Sequence, residues 1–160
     1  MLIPIFEKLE AWLELEIKTA RADGTLPLSG CEFRIVGQTA LLEANLQLHL
    51  AATVDVDVIS TAHYAVHAHL GELLQEIGLE LDPLSDEIWM PTETRYVALY
   101  QGTWVKAWLA EPTFVLISKA LKAPYKNKVL IREYLAGAPT KEFFLLCKRY
   151  GIDLTRFIQD

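Results

Sequence analysis

Residues 36–58 read VGQTALLEANLQLHLAATVDVDV. A glycine closes one apolar run, a stretch of helical composition follows, and the segment then alternates Val with Asp. Period-two alternation of β-branched residues marks a strand. Side chains at i and i+2 of a strand share a face, roughly 6.5–7 Å apart along the chain. Asp55 and Asp57 therefore project from one face, and Val54, Val56 and Val58 from the other. Two ionised carboxylates side by side repel each other, so the pattern invites a cation. A small number of hard oxygen ligands suits Mg²⁺, which keeps waters and shares its remaining positions with substrate phosphates. Gly37 adds an anion-binding element: glycine lets a phosphate approach the backbone, and a helix start offers unpaired N–H groups. The Thr39 hydroxyl is a candidate further donor. The plainer alternatives are a solvated Asp-x-Asp on an exposed strand and an ordinary tight turn at Gly37.

Working outward, residues 2–20 place Leu2, Ile5, Phe6, Leu9, Leu13 and Ile17 at helical spacing, which predicts an amphipathic helix. Residues 22–30, ADGTLPLSG, are turn formers, and CEFRIVG reads as a strand ending at Gly37. QTALLEANLQL is expected to be helical. After the aspartate strand, Val66, Leu70, Leu73, Leu74 and Ile77 form a helical stripe that Gly78 stops. EIWM, RYVALYQ and TWVKAWLA are expected to form three further strands, the last two as a hairpin. From Pro112 the pattern is helical, with helices expected from Pro112, at 126–135 and at 140–150, then a short segment capped by Asp153. The expectation is an α/β (α+β) fold, a mixed sheet flanked by helices. Residues 1–111 would form its core, and 112–160 a helical subdomain packed on it as one compact unit.

A chain of 160 residues with 52% hydrophobic and 22% charged residues is long and apolar enough to bury a core, which argues against disorder. No apolar run is long enough to cross a bilayer, and glutamates interrupt the N-terminal segment, so a cytoplasmic protein without a membrane partner is expected. Cys31 and Cys147 supply neither a disulfide framework nor a ligand spacing. The net charge of −6 is unevenly spread, with −11 over residues 1–105 and +5 over 106–160. A basic C-terminal third is suited to phosphates, to an acidic partner, or to the acidic body of its own chain.

The order strand, glycine, helix and Asp-x-Asp strand resembles the nucleotidyltransferase superfamily, and is similar to the divergent form in AbiEii-type toxins. LAEPTFVLISKALKA resembles the stretch of those proteins in which a helix carries a lysine seven residues after its Ser/Pro start. Lys119, seven after Pro112, holds that position. KNKVLIREYL and CKRYGIDLTRFI look like the closing helices of the group. The resemblance covers most of residues 32–155 through short motifs.

What the resemblance implies is nucleotidyl transfer from a nucleoside triphosphate, with Mg²⁺, to a hydroxyl of RNA or protein, in a toxin–antitoxin setting with an antitoxin partner. Asp55 and Asp57 would hold the metal and, with Lys119, be catalytic. Gly37, Gln38, Thr39 and Lys106 would bind nucleotide or phosphate. The chain departs from the pattern at several positions. Gln38 stands where a second Gly or Ser is expected, and Ala51 where an arginine is usual. Val129 replaces the aspartate of a closing Lys-Asp pair, and no third acid is evident, although Glu93 and Glu111 lie near strand ends. Because that acid helps bind cations and activate the attacking hydroxyl, an inactive nucleotide-binding or interaction module is the alternative function, with a purely structural α/β domain as a third.

Two other groups merit a reading. His63 and His67, with His69 near, have an i, i+4 spacing capable of binding Zn²⁺, but they border the apolar stripe, where core-edge packing is the simpler role. Trp104 and Trp108 share a predicted strand face with Lys106, a stacking surface beside a cation or else ordinary core.

Overall fold

The computed structural model describes residues 1–160 as an α/β fold: a five-stranded mixed sheet flanked by helices. Helix α1 (Ile3–Asp23) is followed by strand β1 (Cys31–Val36), helix α2 (Gly37–Glu43), strand β2 (Asp55–Ser60) and helix α3 (Tyr64–Gln75). Strands β3 (Glu80–Leu81), β4 (Tyr96–Gln101) and β5 (Val105–Ala110) complete the sheet. Helices α4 (Pro112–Lys122), α5 (Lys128–Ala136), α6 (Lys141–Arg149) and α7 (Thr155–Ile158) close the chain. Asp153 Oδ1 accepts from the Thr155 N–H and hydroxyl at the start of α7.

The strand order is β3-β2-β1-β5-β4. β1 lies antiparallel to β2 and parallel to β5, β3 is parallel to β2, and β4 is antiparallel to β5. This arrangement brings the C-terminal ends of β1 and β5 to the same edge as the N-terminal end of β2. One sheet face carries Phe33, Ile35, Val56, Val58, Ala107 and Leu109, all buried. It is covered by the apolar stripe of α1, with the Phe6 and Phe33 rings 5.7 Å apart, and α3 packs beside α1. A single cluster of 33 buried residues includes Phe114, Ile131, Phe143 and Phe157 from the C-terminal helices as well as the sheet. Arg95, just before β4, donates to Glu111 and Glu142 and lies over the Phe114 ring, tying α4 and α6 to the sheet edge.

Three expectations change. EIWM is not a strand: Ser85–Glu87 form a single 3₁₀ turn, and residues 88–95 run irregularly. The reason is topological, since the chain must pass from β3 at one edge to β4 at the other. It is bracketed by Pro83 and Pro91, and its Trp89 carbonyl accepts from the Ser118 hydroxyl rather than from a strand. The strand at that edge is instead Glu80–Leu81. The helix expected through Leu48 stops at Glu43, because Asn45 takes a left-handed conformation (φ 53°) and the chain then turns back toward β2.

Candidate functional site: an aspartate–lysine cleft

The cleft forms at the sheet edge where β1 ends and β2 begins. Val36 pairs with Asp57, so the step from β1 into α2 sits beside the second aspartate. Gly37 makes that step with φ 65°, a region that favours glycine, and a Cβ there would overlap the Asp57 carboxylate. Glycine is thus required twice over, by backbone conformation and by contact. Asp55 and Asp57 lie on the sheet face opposite the buried Val56 and Val58. Thr53 fixes the entry to β2, its hydroxyl accepting from the Asp55 N–H at 3.2 Å.

A cavity of about 320 Å³ is lined by Gly37, Gln38, Asp55 and Asp57 on the sheet side and by Lys119, Lys122 and Lys126 across from them. α4 supplies the first two lysines because its opposite face buries Phe114, Ile117 and Ala120, which turns Lys119 to the cleft. None of the three lysines forms an ion pair. Lys122 lies over the Trp89 ring at 5.2 Å.

The same cavity holds a third carboxylate that sequence reasoning missed, Asp82. β3 runs parallel to β2 with Asp55 opposite Glu80 and Val56 opposite Leu81, and the Asp82 N–H donates to the Val56 carbonyl. Asp82 therefore arrives beside Asp57. The signal was present in LELD, where acids alternate with leucines directly after a helix stop, but two residues of strand are too few for periodicity to reveal. Glu93 and Glu111, the sequence-level candidates, are committed elsewhere. Glu93 accepts from Arg149 and Tyr150, and Glu111 from Arg95.

The electrostatics converge on Asp57. Burial pushes its carboxyl up to about 7, reinforced by the hydrogen-bonding and like charge of Asp82, with Lys119 pulling the other way. Asp57 Oδ1 is buried without a hydrogen-bond partner, the sole such side-chain atom in the protein. Lys119 is lowered by its own burial and by Lys126, and raised by Asp57. A buried, unpartnered carboxylate oxygen beside two further aspartates is a donor set that fits Mg²⁺, which needs only one or two carboxylates when phosphates complete its shell. The side chains are not drawn into a cage of three or more metal ligands.

The remaining residues singled out in the sequence fall differently. Gln38 lines the cavity and also donates to the Ala51 carbonyl at 2.9 Å, holding the loop before β2. Thr39 is buried and spends its hydroxyl on the Asp55 carbonyl at 3.1 Å, so it supports β2 and faces no phosphate. Lys106 pairs in register with Glu32, at the opposite end of β1 from Asp57, and lines a separate recess. α2 has only seven residues, so its dipole is a small contribution beside that of the lysines. His63 caps α3 and His69 stacks on Trp12, so neither is arranged as half of a zinc pair. Trp104 sits in the turn before β5 under the Arg21 guanidinium. No helix is long and apolar enough to cross a membrane, and both cysteines are free and buried. Among known proteins, no family model, no curated protein and no solved structure matches this chain.

Proposed function

We propose that the cleft binds a nucleoside triphosphate with Mg²⁺ and transfers its nucleotidyl group to a hydroxyl of a macromolecule, in a cytoplasmic setting. The observation that carries this reading is the meeting of Asp55, Asp57 and Asp82 in one cavity facing Lys119. Asp57 and Asp82 would hold the cation with Asp55, and Mg²⁺ would supply charge neutralisation of the phosphates. Lys119 is placed to contact the phosphates as a positive point charge, and Lys122 extends that charge toward Trp89. Gly37 leaves the space beside Asp57 free of side chain. An antitoxin partner rests on the sequence resemblance alone.

A second reading is favoured by the Asp57 carboxyl. Held protonated near neutral pH and faced by Lys119, Asp57 can be neutralised without metal, as a nucleotide-binding module without chemistry would allow. Calorimetric titration with each nucleoside triphosphate, with and without Mg²⁺, separates the two. Transfer chemistry requires metal-dependent binding that is lost in Asp55→Ala and Asp82→Asn. Metal-independent binding that survives both substitutions favours the module, and no binding to the intact protein removes both readings.

A further inference from the structure

The sheet ends differently at its two edges. β3 spans two residues and runs at once into Asp82 and Pro83. A short, charged edge stopped by proline resists pairing with another chain. β4 has none of these protections. Its six residues, Tyr96 to Gln101, include no charge and no proline, and no strand lies beyond them. The nearest charge, Arg95, is turned aside into Glu111 and Glu142.

The ladder with β5 decides which backbone groups of β4 face outward. Antiparallel partners alternate between pairs that exchange both hydrogen bonds and pairs whose N–H and C=O point away. The Glu111 N–H donates to the Arg95 carbonyl at 2.9 Å, which makes Arg95 and Val97 bonded positions. Tyr96, opposite Ala110, and Ala98, opposite Trp108, therefore present both backbone groups to the outer side. No loop backbone takes up these groups. Val97 shares a sheet face with its register partner Leu109, which is buried, yet Val97 is 46% exposed. The apolar layer of the sheet thus runs out to the β4 edge and stops there uncovered. A bulge between Ala98 and Tyr100 breaks the regular pairing beyond this point, so the usable edge is the stretch around Val97.

We propose that β4 pairs antiparallel with β4 of a second copy of this chain, about a twofold axis through Val97, joining the two sheets into one. In that register Tyr96 of each copy exchanges both backbone bonds with Ala98 of the other. Val97 meets the second copy's Val97 as a non-hydrogen-bonded pair, with Cα atoms roughly 4.5 Å apart. The large Tyr96 ring falls beside the small Ala98, and Arg95 falls opposite Leu99, so no like charges oppose each other. A foreign strand would find the same backbone groups, but β4 itself supplies what the edge lacks: an apolar partner for Val97 on an uncharged strand. In a chain of net charge −6, that uncharged strand is also where two copies repel each other least. The contact is isologous and closes as a dimer. It makes no use of the cleft residues and stands or falls apart from their chemistry.

Sedimentation of the full chain from about 1 to about 300 µM, a range that suits a small interface, should show monomer passing into dimer. Over the same range, amide exchange at Tyr96 and Ala98 should slow as concentration rises, whereas Val97, bonded to β5 in either state, should not change. Val97→Lys sets two ammonium groups against each other and should weaken the dimer at least about tenfold. Val97→Asp should do the same with two carboxylates. Mixing the two variants should restore the dimer, because an axis through residue 97 places lysine opposite aspartate. The position is exposed, so both variants should keep the circular dichroism of the monomer; should either fail to fold, the exchange pattern of the unmodified chain decides. A dimer indifferent to Val97→Lys, folded variants that stay monomeric when mixed, or concentration-dependent protection outside β4 overturns the proposal. So does a chain that stays monomeric throughout, which leaves the edge to a strand of another protein.

Discussion

At the scale of single residues, Asp57 ties the stability of the protein to pH. Its carboxyl is held at about 7 in the folded chain against an ordinary 3.8. Between those values the folded state keeps a proton that the unfolded state releases, so the stabilising contribution is complete below about pH 4 and is lost as pH rises through 7. Asp57→Asn should flatten that dependence and raise stability at pH 8 by about 1–2 kcal/mol, a figure reduced for the partial exposure of the group. Denaturant titrations of both proteins at pH 5 and pH 8 check this, and an unchanged slope between the two pH values would refute it. Mg²⁺ should reverse the sign for the unmodified chain at pH 8, raising its midpoint there and releasing a proton at pH 6–7. Gly37→Ala probes the neighbouring constraint. With φ 65° and the Asp57 carboxylate in the way, it should cost about 1–3 kcal/mol and abolish nucleotide binding, measured by thermal melts and calorimetry.

At the scale of elements, α1 is joined to the sheet by more than its apolar stripe. The Glu10 carboxylate accepts from the N–H groups of Thr103, Trp104 and Val105 at 2.7–3.1 Å, closing the β4–β5 hairpin from below. Truncation leaves three donors without that acceptor, so Glu10→Ala should destabilise by about 1–3 kcal/mol. The loss should appear as faster amide exchange in residues 102–105 before any change in β1. The hairpin itself was legible in the sequence, as were α1, α3, β1, β2 and the start of α4, because each carries a sustained period or a terminating glycine or proline. β3 was not legible. Two residues cannot display an alternation, and what makes Glu80–Leu81 a strand is the row of free donors and acceptors along the outer side of β2. The same limit hid Asp82, whose place depends on register with β2 rather than on its neighbours in sequence. Lys106 illustrates the converse. Its strand and face were readable, but which end of the sheet it occupies follows only from β5 running parallel to β1.

At the scale of the whole molecule, the cationic C-terminal third meets the acidic body in two ways. Ion pairs cross the seam in both senses, with Arg149 on Glu93 of the body and the body's Arg95 held between Glu111 and Glu142. Lys119, Lys122 and Lys126 instead turn unpaired into the cleft. Arg95→Met should therefore loosen the docking of α6 without disturbing the cleft. The expected readout is increased hydrogen exchange at Lys141–Arg149 with nucleotide affinity unchanged, and the reverse pattern would show that Arg95 serves the site instead.

The shortness of β3 also governs how the site moves. Its place at the sheet edge is fixed by few backbone bonds, among them Glu80 N–H to the Val54 carbonyl and Asp82 N–H to the Val56 carbonyl. An edge held so lightly opens at a free energy well below that of global unfolding. Each opening carries Asp82 away from Asp57 and dissolves the carboxylate group. The grouping of the three carboxylates thus depends on an edge held by few bonds, and a ligand that needs all three aspartates would close that edge as it binds.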